Sequence, residues 1–441
     1  MTDIVTWMFP VLLTLIFLGV PIAFALMSTA FLFGIFRFGE NLFFVFLHKI
    51  DDITGASILA AVPLFVFMGA MLEKSGTAEK LFEAIHLWTH RLPGGLAVGT
   101  ILMCVVFAAC SGVIGATETV VGLLATPVML RHGYDKALIS GTITAGGSLG
   151  AIIPPSVVVI ILAAVSEMSL GDMFIGMFIP GLLMAGLYIL YIIIICTLNP
   201  EAGPKILHPD NALSFHDKLR VTAKALFPPL ILIIVVLGSI MIGVAVPTEA
   251  AAVGAIGTIA MTVCYKTFTL PVMFDAMIKT LSVTAMILTI VVGGTMFASV
   301  FLSSGGFDAV RGILEFWDLG KWGTLILILT LVFFAGFVLD GLSIILIIVP
   351  IGFPIIQNFG FDPIWFAVLF LVVKQTSYLT PPMAGAIFYF RAIAPPQISL
   401  MHMYKGVVPF IILDLIVLIL VMVFPSPVSY THLTLPTKRI V

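Results

Sequence analysis

Charge is what this sequence has least of. Of its 441 residues, 10% are Asp, Glu, Lys or Arg, against roughly a quarter in soluble domains. The net charge is −2 and no basic run occurs, which argues against nucleic acid or a polyanionic surface as a partner. A phosphate loop of the Gly-Lys-Ser/Thr type is missing, so no nucleotide-hydrolysing site is expected. No His/Glu metal pattern and no Ser/His/Asp set stands out, which leaves an integral membrane enzyme without support. His48, His86, His90, His132, His208, His216 and His402 fall at the edges of apolar runs or in linkers. Cysteine is scarce: Cys104, Cys110, Cys196 and Cys264 sit in apolar segments without metal spacing, and read as small core residues. The start, Met1-Thr2-Asp3, has no basic stretch of the kind that precedes a cleaved signal, so the first apolar run is expected to be retained.

Apolar residues are what it has in excess, at 61% with a mean hydropathy of +1.23. A soluble fold of this length has too little interior to hide them. Runs long enough to span a bilayer core recur throughout. Several are too long for one crossing at 1.5 Å per residue and carry Gly, Pro and polar residues near their middles. These predict interrupted helices and helical hairpins. The run from Ile4 to Phe36 is one of the long ones. Between runs, residues 73–91 set Leu81, Phe82, Ile85 and Trp88 on one stripe against Glu79, Lys80 and Glu83, the pattern of an interfacial helix. The linker 199–224 holds Lys205, Lys218, Arg220 and Lys224, and the positive-inside rule puts it in the cytoplasm. Residues 427–441 read as a non-native tail resembling a translated sequencing adapter, and are set aside from the fold.

The linker divides two similar halves. Gly99-Thr100 and Gly112 align with Gly323-Thr324 and Gly336; Ser75-Gly76 aligns with Ser304-Gly305, and Pro154-Pro155 with Pro381-Pro382. The offset stays near 224 to 229 residues, so the chain reads as a duplication, a common sign of a secondary transporter. Adjacent prolines end a helix. Backbone groups so freed must face protein or a water-filled cavity. The economical expectation is a hairpin with a Gly/Pro tip in each half, at 138–165 and 364–393, beside a broken helix at 96–130 and 324–356. Each repeat then occupies 1–198 and 225–426. Ser111, Thr117 and Glu118 interrupt one broken helix, and Asp340 and Ser343 the other. Unwound turns of this kind offer carbonyls and hydroxyls to a dehydrated Na⁺ and helix N-termini to a carboxylate. Asp340 is expected near mid-span; Glu118 is expected either to be similar or to lie nearer an aqueous vestibule. Each also has a plain structural reading as a hydrogen-bonding group. Lys374 ends an apolar run, so its ammonium is expected either to reach water or to lie beside the substrate or ion site.

These residues bring a family into view. The chain resembles the large membrane subunit of tripartite ATP-independent periplasmic (TRAP) transporters from about Leu18 to Phe424. The likeness rests on Leu18-Gly19-Val20-Pro21-Ile22-Ala23, Val62-Pro63-Leu64-Phe65, Arg91-Leu92-Pro93-Gly94-Gly95, Gly146-Gly147 through Pro154-Pro155-Ser156, Val246-Pro247-Thr248-Glu249-Ala250, and Leu379-Thr380-Pro381-Pro382. The stretches 112–119 and 376–382 look like the branch often labelled for mannitol or chloroaromatic compounds. Lys374 departs from the family pattern, where a neutral residue is common. The resemblance implies an all-α polytopic protein of the bacterial inner membrane, built from two inverted repeats with re-entrant hairpins and broken helices and working as an elevator. It implies Na⁺-coupled import of a small organic acid, a small membrane subunit and a periplasmic binding protein as partners, and no organic cofactor. A stand-alone Na⁺/carboxylate symporter of related fold is the alternative. The expected lining is Ser111, Thr117, Gly147, Pro154, Ser156, Asp340, Ser343, Lys374, Thr376, Thr380 and Pro381. Ser111, Thr117, Asp340, Ser343 and Thr376 are the expected Na⁺ ligands.

Overall fold

A computed structural model describes residues 2–112, 114–205, 214–382 and 384–429, and every regular element among them is helical. The first half opens with α1 (Thr2–Phe17), α2 (Ile22–Phe38), α3 (Leu42–Gly55), α4 (Ala61–Lys74) and the amphipathic α5 (Thr77–Thr89). It continues with α6 (Gly95–Ser111), α7 (Ile114–Arg131), α8 (Lys136–Ser148), α9 (Val157–Val165) and α10 (Leu170–Leu198). The second half holds α11 (Phe215–Met241), α12 (Pro247–Cys264), α13 (Leu270–Ser303), α14 (Gly306–Phe316) and α15 (Gly320–Ala335). It closes with α16 (Gly341–Asn358), α17 (Pro363–Leu379), α18 (Gly385–Ile393), α19 (Leu400–Val423) and a last turn, α20 (Ser426–Ser429). Eight helical stretches among the described residues are long and apolar enough to cross a bilayer, including Leu170–Leu198, Leu270–Ser303 and Leu400–Val423.

The repeat is visible in where helices start. Gly95, Ile114, Lys136 and Val157 are matched by Gly320, Gly341, Pro363 and Gly385, an offset of 225 to 228 residues. The local devices repeat too. Asp135 caps α8 by accepting from the amides of Ala137 (2.9 Å) and Leu138 (3.0 Å). Asp362 caps α17 by accepting from the amide of Trp365 at 2.7 Å. The amphipathic helices α5 and α14 both follow a left-handed glycine, Gly76 and Gly305. The peptide bonds Pro154–Pro155 and Pro381–Pro382 are both cis.

Close packing at glycines shows how α6 and α7 run. A methyl group on Gly146 would lie 2.9 Å from Cys104 Sγ, and one on Gly147 would lie 2.1 Å from Glu118 Cγ. Along one continuous helix Cys104 and Glu118 would stand roughly 21 Å apart. They face neighbouring residues of α8, so α6 and α7 fold back on each other about a tip next to Gly112. At the other end the amide of Leu96 donates to the Tyr134 hydroxyl at 3.2 Å, so the hairpin enters and leaves on one face. That face is the linker's: Gly94 donates to the Gly203 carbonyl at 3.2 Å and Asp135 to the Ala202 carbonyl at 2.9 Å. Arg91, Arg131, Lys136, Lys218, Arg220 and Lys224 gather there, which the positive-inside rule makes the expected cytoplasmic face.

The second hairpin is α15 and α16, since a methyl on Gly352 would touch Ile328 Cγ2 at 3.5 Å. Its two ends meet where the Trp322 and Phe361 rings stack edge to face, 5.2 Å between centroids. Nearby, Trp365 Nε1 donates to the carbonyl of Val421 at the end of α19 (2.8 Å). The start of α19 lies at the linker's face, where Gly406 packs on Ala137 and Gly141. The second hairpin therefore enters from the opposite face, and the repeats are inverted.

Two expectations change places. The pattern of prolines put the hairpins at 138–165 and 364–393 and the broken helices at 96–130 and 324–356; the structure exchanges the two. Pro154-Pro155 interrupts a crossing made by α8 and α9. The neighbouring Ile153 packs against Gly181, near the middle of the long α10. Paired prolines end a helix without reversing the chain: Ser156 is extended (φ −115°, ψ 131°) and carries it onward. Gly112, left-handed at φ 60°, is what turns it back. Other boundaries shift less. The run 4–36 divides at Gly19 (φ 86°), and α11 begins at Phe215, inside the expected linker. Val428 is buried, packing on Gly176, so residues 427–429 of the expected tail join the fold; 430–441 lie outside the described residues. Cys104, Cys110 and Cys196 are buried as expected, but Cys264 is exposed.

Candidate functional site

Each hairpin tip docks on a broken helix. At the first tip the Val157 amide, the first of α9, donates to the Gly112 carbonyl at 3.2 Å. A methyl on Gly112 would come within 2.6 Å of the Pro155 carbonyl, so glycine is required there twice, for its φ and for the approach. At the second tip a methyl on Gly336 would overlap Ser377 Oγ, and that hydroxyl donates to the Phe333 carbonyl at 2.7 Å. The hairpins also cross over: α7 packs on α18 and α16 on α9. Gly115 of α7 lies against the Tyr389 ring of α18.

Asp340 is not within a helix. It is the N-cap of α16, accepting from the Leu342 amide (3.0 Å) and from the Ser343 hydroxyl. This is its structural reading realised, and it also leaves carboxylate lone pairs at a helix N-terminus. Lys374 of α17 is 3% exposed. Its stem runs over Gly341, where a methyl would lie 2.1 Å from Cε, and its ammonium stands 5.2 Å from the Tyr378 ring centre. The charges of Asp340 and Glu118 both act on it.

Glu118 is fully buried, and neither carboxylate oxygen has a hydrogen-bond partner. Gly147 is what admits it, and Lys374 is the cation that acts on it. Positions 147 and 374 correspond in the repeat. Glycine on one broken helix makes room for a hairpin carboxylate; on the other, a hairpin glycine makes room for lysine.

The remaining predicted residues divide. Gly147, Pro154 and Ser156 are buried around the first tip, and Ser156 Oγ donates to the Ala151 carbonyl at 2.9 Å. Thr117 is buried on α7, and Ser343 joins Asp340. Thr376 and Thr380 donate back to their own helix, to Val372 (2.8 Å) and Thr376 (2.7 Å). Pro381 is half-buried beyond them. The side chain of Ser111 lies outside the described ones. Among the described residues no three His, Cys, Asp or Glu side chains gather as metal ligands. Sequence reasoning passed over Tyr378 and Tyr389, which line this cluster. It also passed over Asp414, a fully buried carboxylate in α19 that accepts from the Tyr188 hydroxyl of α10. A carboxylate amid Ile411, Leu413 and Ile416 was the available signal.

Residues 9–426 match the family described as tripartite ATP-independent periplasmic transporter, DctM component. The C4-dicarboxylate TRAP transporter large permease protein DctM of Pseudomonas aeruginosa is 31% identical over 83% of this chain and 84% of its own. The ectoine/5-hydroxyectoine TRAP transporter large permease protein UehC of Ruegeria pomeroyi is 27% identical over 95% and 96%. Neither name supports the mannitol or chloroaromatic label. In fold, the crystal structure of the Alcanivorax borkumensis YdaH transporter, whose topology is described as unusual, matches with a TM-score of 0.66 at 16% identity, over 88% of this chain and 90% of that one. The chain belongs to the tripartite ATP-independent periplasmic transporter family as its large membrane component, a multi-pass transport protein of the bacterial inner membrane and not an enzyme.

Proposed function

We propose that the chain imports a small organic acid, coupled to Na⁺, with the substrate held between the two hairpin tips and delivered by a periplasmic binding protein; a small membrane subunit completes the assembly. The observation that carries this reading is the docking of two re-entrant tips, from opposite faces, on two helix breaks. Such a pair forms one site that can be offered to either side when the hairpins and broken helices move together as an elevator. Lys374 supplies the charge for a substrate carboxylate, and "C4-dicarboxylate" in a relative's name agrees with that. Ser111, Thr117, Asp340, Ser343 and Thr376 supply oxygens for Na⁺; Gly147, Pro154, Ser156, Thr380 and Pro381 shape the lining.

The test is uptake of succinate and of other organic acids into proteoliposomes holding all three components. Removing external Na⁺ abolishes uptake, and so does omitting the binding protein. Unchanged uptake in Na⁺-free buffer at fixed pH excludes Na⁺ coupling, and uptake without the binding protein makes the chain a stand-alone symporter. Asp340→Asn separates ion chemistry from helix stability, because Asn also caps helices well. The variant inserts normally and needs more Na⁺ for half-maximal uptake; an unchanged Na⁺ dependence removes Asp340 from the ion site.

A further inference from the structure

We infer that a groove on the cytoplasmic face, between α7 and the end of α18, is the exit vestibule through which the substrate leaves as a carboxylate anion. The inference rests on the reading that the chain moves a small organic acid. The groove encloses about 640 Å³ and is lined by Thr126, Pro127, Arg131 and Lys136 on one side and Ile393 and Gln397 on the other. Its wall is built for a polar occupant. Thr126 is 2% exposed and its hydroxyl has no partner. Thr119, Thr144 and Thr376 donate to the carbonyl four residues back, whereas Thr89, Thr142 and Thr284 are unpaired like Thr126 but do not line this groove. One residue on, Pro127 has no amide hydrogen, so the carbonyl of Leu123, also on this wall, loses its helical donor. Buried polar groups are ordinarily paired, so the Thr126 hydroxyl is left for water or solute.

Charge selects the occupant. Arg131 and Lys136 both line the groove and no carboxylate does. Like charges on low-dielectric walls focus the field and raise the local concentration of the opposite ion. The groove also leads toward the candidate site. Its inner end, Gly122, is one turn from Glu118, and a methyl there would lie 2.5 Å from Ile393 Cδ1. A further turn brings Gly115 against Tyr389. The contacts Gly122–Ile393 and Gly115–Tyr389 therefore stand between the vestibule and the first tip.

The test needs neither substrate nor Na⁺, so its outcome is independent of the uptake experiment. In a Cys264→Ser background, Thr126→Cys is labelled in membrane vesicles of each orientation with impermeant methanethiosulfonates, one anionic and one cationic. Labelling occurs from the cytoplasmic side alone, and the anionic reagent reacts about tenfold faster. Adding Arg131→Gln and Lys136→Gln removes the preference. Gln397→Cys, on the exposed rim, gives the same charge preference and serves if Thr126→Cys fails to insert. Labelling from the periplasmic side, no labelling, or a preference for the cationic reagent overturns the inference.

Discussion

At the scale of single residues, the site is organised by who makes room for whom. Lys374 is an ammonium among apolar helices, a placement that costs roughly 2.5–3.5 kcal/mol on insertion scales unless it is paired or wetted. Its companions are Glu118 and Asp340, one from each hairpin. If Lys374 anchors a substrate carboxylate, Lys374→Gln weakens substrate affinity at least about tenfold, equivalent to ~1.4 kcal/mol. Wild-type affinity in equilibrium binding would reduce Lys374 to a tolerated charge. Glu118→Gln and Lys374→Gln are predicted to be non-additive, because the two buried groups lie within electrostatic reach of each other. A thermal-unfolding cycle that sums to zero would contradict this coupling. The glycines make a further prediction. A methyl on Gly147 meets Glu118 Cα at 2.9 Å as well as its side chain, so Gly147→Ala forces α7 from α8. A methyl on Gly336 costs the Ser377 hydrogen bond, worth about 1 kcal/mol, and meets Ser377 Cβ at 2.7 Å, so Gly336→Ala forces α15 from α17. Both variants should therefore lower thermal stability; an unchanged unfolding temperature in either would show that the paired helices yield easily.

At the scale of elements, much was legible. The duplication, its offset, the interfacial helix and the mid-membrane breaks all follow from Gly, Pro and polar residues set in apolar runs. Which break reverses the chain was not legible. Pro154-Pro155 is the louder signal, yet proline reports only the end of a helix, and direction depends on the backbone that follows. Gly112 is a single residue whose positive φ shows only in the fold. The full burial of Glu118 was not legible for a related reason: burial by a glycine on another helix leaves no local trace. The tip makes its own prediction. Gly112→Ala carries a left-handed cost of roughly 1–2 kcal/mol and sets a methyl against the Pro155 carbonyl. The variant should reach the membrane in normal amount and lose uptake, because the first tip lifts from its seat. Retained uptake would mean that tip docking is dispensable.

At the scale of the whole molecule, the long helices α10, α13 and α19 are long and apolar enough to cross the bilayer, while α6–α7 and α15–α16 each turn back at a tip. Entry from opposite faces is what points the two tips at each other. The most direct measurement is therefore the sidedness of four exposed positions. In a Cys264→Ser background, Arg91→Cys, Arg131→Cys, Lys321→Cys and Asn358→Cys are labelled one at a time with an impermeant thiol reagent in vesicles of known orientation. Two inverted re-entrant hairpins predict that positions 91 and 131 react only from the cytoplasm, and positions 321 and 358 only from the periplasm. Reaction of 91 and 131 from opposite sides would make α6 and α7 a crossing helix, and all four reacting from one side would abolish the inversion.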